Sequence, residues 1–324
     1  MTFAGSPDRV ESQLVPEAGF ELDTFAISGF PRRPSLALVR AVARAARAPF
    51  ACTAILRRRR PDVVLGGGGY VAGPMVLAAR LRGIPTALTE ADARLGLANR
   101  LAAPFASRVF LAYEIPGRRA GHKYQIVGRP IPVAHRGATS AEGRARFGLP
   151  ATGTVVAVFG ALAGARSLNE MAVAAWGDSG PAVLHICGER DYAALRERVA
   201  RDGYVLRAQT DHFGDALAAA DVAVSRAGGT VWELAAAGTP AVLVPYPHAT
   251  ADHQTSNARH FERGGGAIVV PDREVARVPE LVSELVGDSE RLARMRTAML
   301  AMARPDAAAL IAEEVIALAH ADRA

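Results

Sequence analysis

Short unbroken apolar runs alternate along the chain with longer amphipathic stretches. Pro61–Leu65 is one such run, leading directly into Gly66–Gly69, and a helical stretch then continues through Met75 to Arg82 and stops at Gly83. Runs at 85–90 and 108–113 predict further strands, with a helix over 95–105 between them. The second half repeats the rhythm, with strands predicted at 154–159, 182–187, 222–225, 241–244 and 267–270, each followed by helical spacing. Runs apolar on both faces, alternating with helices, belong to parallel sheets covered by helices. The sequence therefore predicts an α/β chain of two Rossmann-like, doubly wound domains. Residues 134–150, bracketed by Pro130, Pro132 and Pro150 and weakly periodic, are expected as the linker between a domain at 1–133 and one at 151–304. Met1–Gly5 reads as the end of a strand with a helix over 8–15 behind it. A doubly wound domain places its first strand mid-sheet, so a segment upstream of Met1 is expected.

Composition narrows the class. At 324 residues, half of them apolar and 22% charged, the chain suits two globular domains and excludes a disordered or collagen-like one. Cys52 and Cys187 make neither a disulfide framework nor a zinc cluster, which points to a reducing compartment. No apolar stretch approaches the roughly 20 residues of a membrane span and no signal-peptide pattern opens the chain, so a cytosolic protein is expected. Residues 1–150 carry a net +12 and residues 151–324 a net −6. Such asymmetry suggests an anionic partner for the first half: nucleic acid, an anionic membrane or a phosphorylated substrate. Between Ser35 and Arg60 a helix is predicted with Arg40, Arg44 and Arg47 along one stripe and Leu36, Val39, Ala43 and Phe50 as apolar surface, followed by Arg57–Arg60. It can lie on anionic lipid, or pack on its own sheet with solvated arginines.

Three glycine-rich turns fall between a strand and a helix: Gly66–Gly69, Gly160–Gly164 and Ser225–Thr230. None has P-loop or dinucleotide spacing, but helix N-termini at strand ends favour phosphate groups. In the third turn, Gly228 and Gly229 would let a diphosphate reach the backbone, and Glu233 lies one turn on, placed to accept from a ribose hydroxyl pair. Thr230-Val-Trp-Glu233 reads equally as a capping box. Gln254 and Asn257 share a helix face and can read sugar hydroxyls. His248 and His253 lack a third ligand at metal spacing, so no metal site is implied.

The segments GGYVAGP (68–74), GARSLNE (164–170) and DALAAADVAVSRAGGTVWELAAAGTPAVLVPYPHATADHQTSNA (215–258) resemble the MurG family of bacterial N-acetylglucosaminyltransferases over almost the whole chain. The resemblance implies a GT-B fold, two Rossmann-like domains facing a cleft, with a C-terminal helix (305–324) packing back on the first domain. It implies an inverting transfer of GlcNAc from UDP-GlcNAc to undecaprenyl-pyrophosphoryl-MurNAc-pentapeptide, at the cytoplasmic face of the membrane, in cell wall synthesis serving shape and division. The donor contacts it implies are Gly164, Arg166, Phe213 (uracil), Ser225, Gly228, Gly229, Thr230, Glu233 (ribose), Gln254 and Asn257. The acceptor contacts are Gly69, Tyr70, Asp92, Asn99 and Arg129, with Asp92 also the candidate base. The implied partners are the sugar nucleotide, the lipid-linked acceptor and an anionic membrane, with no nucleic acid, no cofactor and no divalent metal. The sequence departs from the family pattern in four places. The first loop, GGTGGH, is absent; HEQN reads Thr89-Glu90-Ala91-Asp92; the Ser of GGSQGAR is Leu162; and the Arg after GNPV is Pro132, with Arg129 nearby. Two other readings remain open: a non-catalytic nucleotide-sugar binder, and a sugar-nucleotide epimerase of the same architecture.

Overall fold

Apolar runs become strands buried on both faces, and the amphipathic stretches become the helices that cover them. The computed structural model describes residues 1–27, 36–160 and 164–321, in two units: Met1–Val127 with Ala308–Ala324, and Gly128–Ala307.

The first unit runs β1 (Phe3–Gly5), α1 (Glu11–Glu17), β2 (Leu22–Thr24), α2 (Leu36–Arg59), β3 (Val64–Gly66), α3 (Gly69–Arg80), β4 (Thr86–Glu90), α4 (Leu97–Ala102), β5 (Arg108–Leu111) and β6 (Tyr124–Ile126). Among the described residues all pairing is parallel, in two sheets: β1–β2, and β3–β4–β5–β6 in that order. One face of α2 buries Ala48, Cys52, Ile55 and Leu56 with Phe25, Ile27, Met75 and Ala78. Its other face leaves Leu36, Val39 and Phe50 exposed beside Arg40, Arg44 and Arg47. The basic run that follows is not a free surface throughout. Arg58 and Arg59 are held by Asp23, at 2.6 and 2.8 Å, and Arg59 also by Glu21, which fastens α2 to β2. Arg59 keeps the Asp23 carboxyl below its ordinary pKa.

The second unit runs α5 (Ser140–Phe147), β7 (Val155–Phe159), α6 (Arg166–Trp176), β8 (Ala182–Ile186), α7 (Glu189–Arg196), β9 (Tyr204–Arg207), α8 (Phe213–Ala219), β10 (Val222–Ser225), α9 (Thr230–Ala237), β11 (Ala241–Leu243), α10 (His253–Arg263), β12 (Ala267–Val269), α11 (Val278–Gly287) and α12 (Ser289–Met302). Its six parallel strands are ordered β12–β11–β10–β7–β8–β9. This is the doubly wound order, and the order in which strands are added across the sheet reverses between β7 and β10, where Phe159 is in register with Ser225. The central strands β7 and β10 are buried at every position. A last helix, α13 (Ala307–Ala321), belongs almost wholly to the first unit: Ile311 closes a cluster with Ala87, Phe110 and Val127, and Glu314 pairs with Arg108 at 3.2 Å.

The expected linker at 134–150 is instead part of the second unit, which begins at Gly128. Thr139 and Glu142 form a full capping box at the start of α5, and Phe147 and Leu149 are buried against Val155, Leu184 and Ala216. Arg144 donates to Ala219 O and pairs with Asp221 at 2.9 Å. The prolines stiffen this stretch rather than loosen it. Moving Arg129, Arg136, Arg144 and Arg146 into the second unit also narrows the charge asymmetry, to +7 for the first unit and −1 for the second.

Candidate functional site

Ligands of doubly wound sheets sit beyond the carboxyl ends of the strands, at the point where strand order reverses. In the second unit that place is flanked by the turns after β7 and β10. Residues 161–163, including Leu162, lie outside the described residues; Gly164 ends the turn in left-handed backbone (φ 78°), and Arg166 opens α6 with its charge acting on Asp191. Beyond β10, Gly228 faces open space, whereas a Cβ on Gly229 would overlap the Arg129 guanidinium. Only glycine there lets that cation lie on the first turn of α9, whose free N–H groups also favour an anion.

Arg129, which the resemblance assigns to the acceptor, belongs to the second unit and lies beside Gly229, because the chain enters that unit at Gly128. The capping-box reading of Thr230 and Glu233 does not hold either. The cap position is Gly229, Thr230 is the first helical residue, and no side chain caps α9. Glu233 is thereby left to other partners. Its Oε1 lies 2.5 Å from His135 Nδ1, in the turn Val133–His135, and the pair is 15% and 21% exposed, respectively. Phe213, first residue of α8, stacks edge-on to Phe159 and tilts against His135, with ring centroids 5.1 and 5.7 Å apart.

Two expected donor contacts hold the turn instead. Ser225 is buried and its Oγ donates to Arg226 O at 2.7 Å; Asn257 is fully buried and its amide donates to Ala227 O at 3.2 Å. Polar groups at zero exposure must satisfy one another, and here they satisfy the backbone. Gln254 is half-buried, accepting from Tyr246 N at 2.9 Å. Between these two residues, Ala251 and Asp252 are consecutive non-glycine residues in left-handed backbone (φ 53° and 54°), a strain concentrated in the loop leading to Gln254.

A knot beneath the turn escaped the sequence reading. Arg226 donates to Val244 O, Pro245 O, Asp272 and Ser167, and lies over the Tyr246 ring. Behind the first turn, Asn169 bridges Cys187 O and Asp191 and meets His185, whose other nitrogen meets Tyr204 at 2.8 Å. Burial pushes His185 down to about 4 and the Cys187 thiol up to about 11.

In the first unit, Gly69 opens α3, and Tyr70 packs partly into the core with Arg9 over its ring. Asn99, expected at the acceptor, is buried: its amide donates to Thr89 O and Glu90 Oε2, both at 2.9 Å, while its Oδ1 has no partner among the described residues. Glu90 itself is buried and also accepts from Asp92 N and Gly96 N, so it shapes the loop that carries half-buried Asp92.

This geometry has known counterparts. Residues 2–111 match the Glycosyltransferase family 28 N-terminal domain and residues 155–311 the family 28 C-terminal domain. A solved Acinetobacter baumannii MurG superposes with a TM-score of 0.79 at 25% identity, covering 97% of this chain and 90% of that one. A putative UDP-N-acetylglucosamine 2-epimerase from Listeria monocytogenes shares the fold, with a TM-score of 0.59 over 96% of this chain and 94% of that one, at only 11% identity. The UDP-N-acetylglucosamine–N-acetylmuramyl-(pentapeptide) pyrophosphoryl-undecaprenol N-acetylglucosamine transferase of Halothermothrix orenii is 36% identical, covering 94% of this chain and 87% of its own length. With both halves of a GT-B transferase present and that identity running nearly end to end, the chain belongs to the MurG family of glycosyltransferases.

Proposed function

We propose that this chain transfers GlcNAc from UDP-GlcNAc to undecaprenyl-pyrophosphoryl-MurNAc-pentapeptide, with inversion at the anomeric carbon, in peptidoglycan synthesis. The acceptor hydroxyl bonds to that carbon as the bond to the diphosphate oxygen breaks. The hydroxyl proton passes to a base, and the electron pair leaves with UDP. Charge growing on the leaving diphosphate meets the amides of Gly228–Thr230, the α9 N-terminus and the Arg129 guanidinium. Glu233 receives the ribose hydroxyls, Phe213 lies by the uracil and Gln254 reads GlcNAc. We assign Asp92 as the base, on a loop that Glu90 holds in shape.

The observation that carries this reading is the cation of Arg129 lying against Gly229, one turn ahead of a carboxylate, at the point where the sheet reverses. The test is to incubate the chain with radiolabelled UDP-GlcNAc and a short-chain lipid-linked MurNAc-pentapeptide. Labelled lipid-linked disaccharide and free UDP, each requiring both substrates, are expected. Donor bound without turnover would reduce the chain to a binder, and a new sugar nucleotide formed from donor alone would make it an epimerase.

The acceptor's polyprenyl chain requires a membrane-facing surface, and the first unit offers two apolar stripes flanked by arginines. Leu36, Val39 and Phe50 are 67%, 64% and 78% exposed on α2, and Leu97, Leu101 and Phe105 are exposed on and just beyond α4. No helix among the described residues is long and apolar enough to cross a membrane. We place this unit on the anionic cytoplasmic surface as a peripheral contact. At about 1 kcal/mol per arginine near such a surface, R40E/R44E/R47E is expected to weaken binding to phosphatidylglycerol vesicles by about a hundredfold or more. Unchanged sedimentation with those vesicles would remove α2 from the contact.

A further inference from the structure

We propose that His135 is a positioning residue for the donor: it holds the Glu233 carboxylate in the orientation that receives the ribose. The proposal rests on the ribose reading of Glu233 and adds to it a partner that the sequence did not suggest. A carboxylate only accepts, so the 2.5 Å contact requires the hydrogen on His135 Nδ1, donated to Glu233 Oε1. Oε2, and the second lone pair of Oε1, remain for the ribose hydroxyls. Without this bond a glutamate side chain on the first turn of a helix has several rotamers to sample, and fixing it beforehand removes that cost from binding.

The histidine is itself held from three sides. A Cβ on Gly214 would come within 2.6 Å of His135 Cα, so α8 abuts its backbone directly. Its amide donates to Pro132 O at 3.0 Å, closing the short turn, and the next residue, Arg136, donates to Pro305 O at 2.7 Å. The ring tilts against Phe213, the residue assigned to the uracil. One imidazole therefore touches the side chains assigned to both halves of the nucleoside, and a shift of the 128–136 connection would be felt at both.

The test uses calorimetric titration of the full chain with UDP and with 2′,3′-dideoxy-UDP. H135N keeps an N–H donor close to the position of Nδ1, whereas H135L keeps bulk against Phe213 and removes the donor. With UDP, H135N is expected to bind within about twofold of the parent and H135L about ten- to a hundredfold more weakly, the worth of one hydrogen bond to a charged group. With the dideoxy nucleotide the two variants are expected to bind alike. If H135L binds UDP as well as or more tightly than the parent, the histidine blocks the carboxylate and the proposal is overturned. An H135L deficit that persists in full with the dideoxy nucleotide would make the role purely structural, and overturns it too. E233Q separates the underlying reading. If E233Q and the dideoxy substitution both leave affinity unchanged, ribose does not bind at Glu233 and the proposal falls with that reading; if both weaken binding while H135L does not, only His135 loses its role.

Discussion

Two glycine-rich turns, one in each unit, join a parallel strand to a helix, yet they are held very differently. The turn after β10 follows a strand paired on both sides, by β7 and β11. Its backbone is tied from below by the five-way contact of Arg226 and from behind by Asn257 on Ala227 O. The turn after β3 follows a three-residue strand that pairs only with β4 among the described residues, and Leu65 within it is 45% exposed. The nearest side-chain tie to that turn is Thr89 Oγ1 to Gly66 O at 3.5 Å, the weak limit of a hydrogen bond. A site that must stabilise charge at the moment of bond breaking gains from being fixed beforehand. A turn proposed to meet a long lipid-linked acceptor has less use for that. The contrast therefore teaches where this protein invests its buried polar groups: beneath the turn proposed to hold the nucleotide.

Breaking the better-held turn should have the largest effect. R226M strands Asp272, two carbonyls and Ser167 together, and is expected to cost about 3–4 kcal/mol in urea unfolding, with UDP affinity falling alongside. A loss below about 1 kcal/mol would mean that the strand pairing, not the guanidinium, holds the turn. Next comes acid. Burial lowers His185 to about 4, so the folded chain keeps it neutral while the unfolded chain takes up a proton below about 6.5. The stability this neutrality contributes is complete above about pH 6.5 and drains away down to about pH 4, some 3 kcal/mol in all. Unfolding measured at pH 7 and pH 5 should show about 2 kcal/mol of this drop, and H185Q should remove it.

Smaller effects sharpen the other side of the comparison. E90A deletes the acceptor of three N–H groups in the 90–99 loop and is expected to cost about 2 kcal/mol, raising the KM for acceptor while UDP affinity holds. Equal damage to donor binding would contradict the division of labour between the units. Smallest, and opposite in sign, A251G should stabilise by about 0.5–1 kcal/mol in thermal unfolding, since glycine adopts its left-handed backbone without strain.

The central strands were legible because their residues are apolar on both faces, as at Val155–Phe159 and Val222–Ser225. The three strands the pattern missed, β2, β6 and β9, are short and lie at sheet edges, where one face or one side meets water and sequences such as Tyr124-Gln-Ile126 show no clear period. Helix α5 was hidden by the prolines around it. At the candidate site, Gly228, Gly229 and Glu233 could be grouped from sequence because strand, turn and helix are contiguous there. His135 was not, since 98 residues separate it from Glu233 and only tertiary packing joins them. Ser225, Asn257 and Asn99 illustrate a different limit: a hydroxyl or amide that would suit a sugar suits a backbone carbonyl equally well, and only burial tells the two uses apart.

The return of α13 to the first unit has a practical consequence. Residues 1–127 contain every described strand of that unit and still lack one wall, because Ile311, with Val315 and Leu318 beside it, seals Ala87, Phe110 and Val127 from water. Trimming the last fifteen residues, or burdening them with a fusion partner, would thus injure the part of the polypeptide made first, and an N-terminal fragment expressed alone would expose a greasy flank that its missing tail was meant to hide.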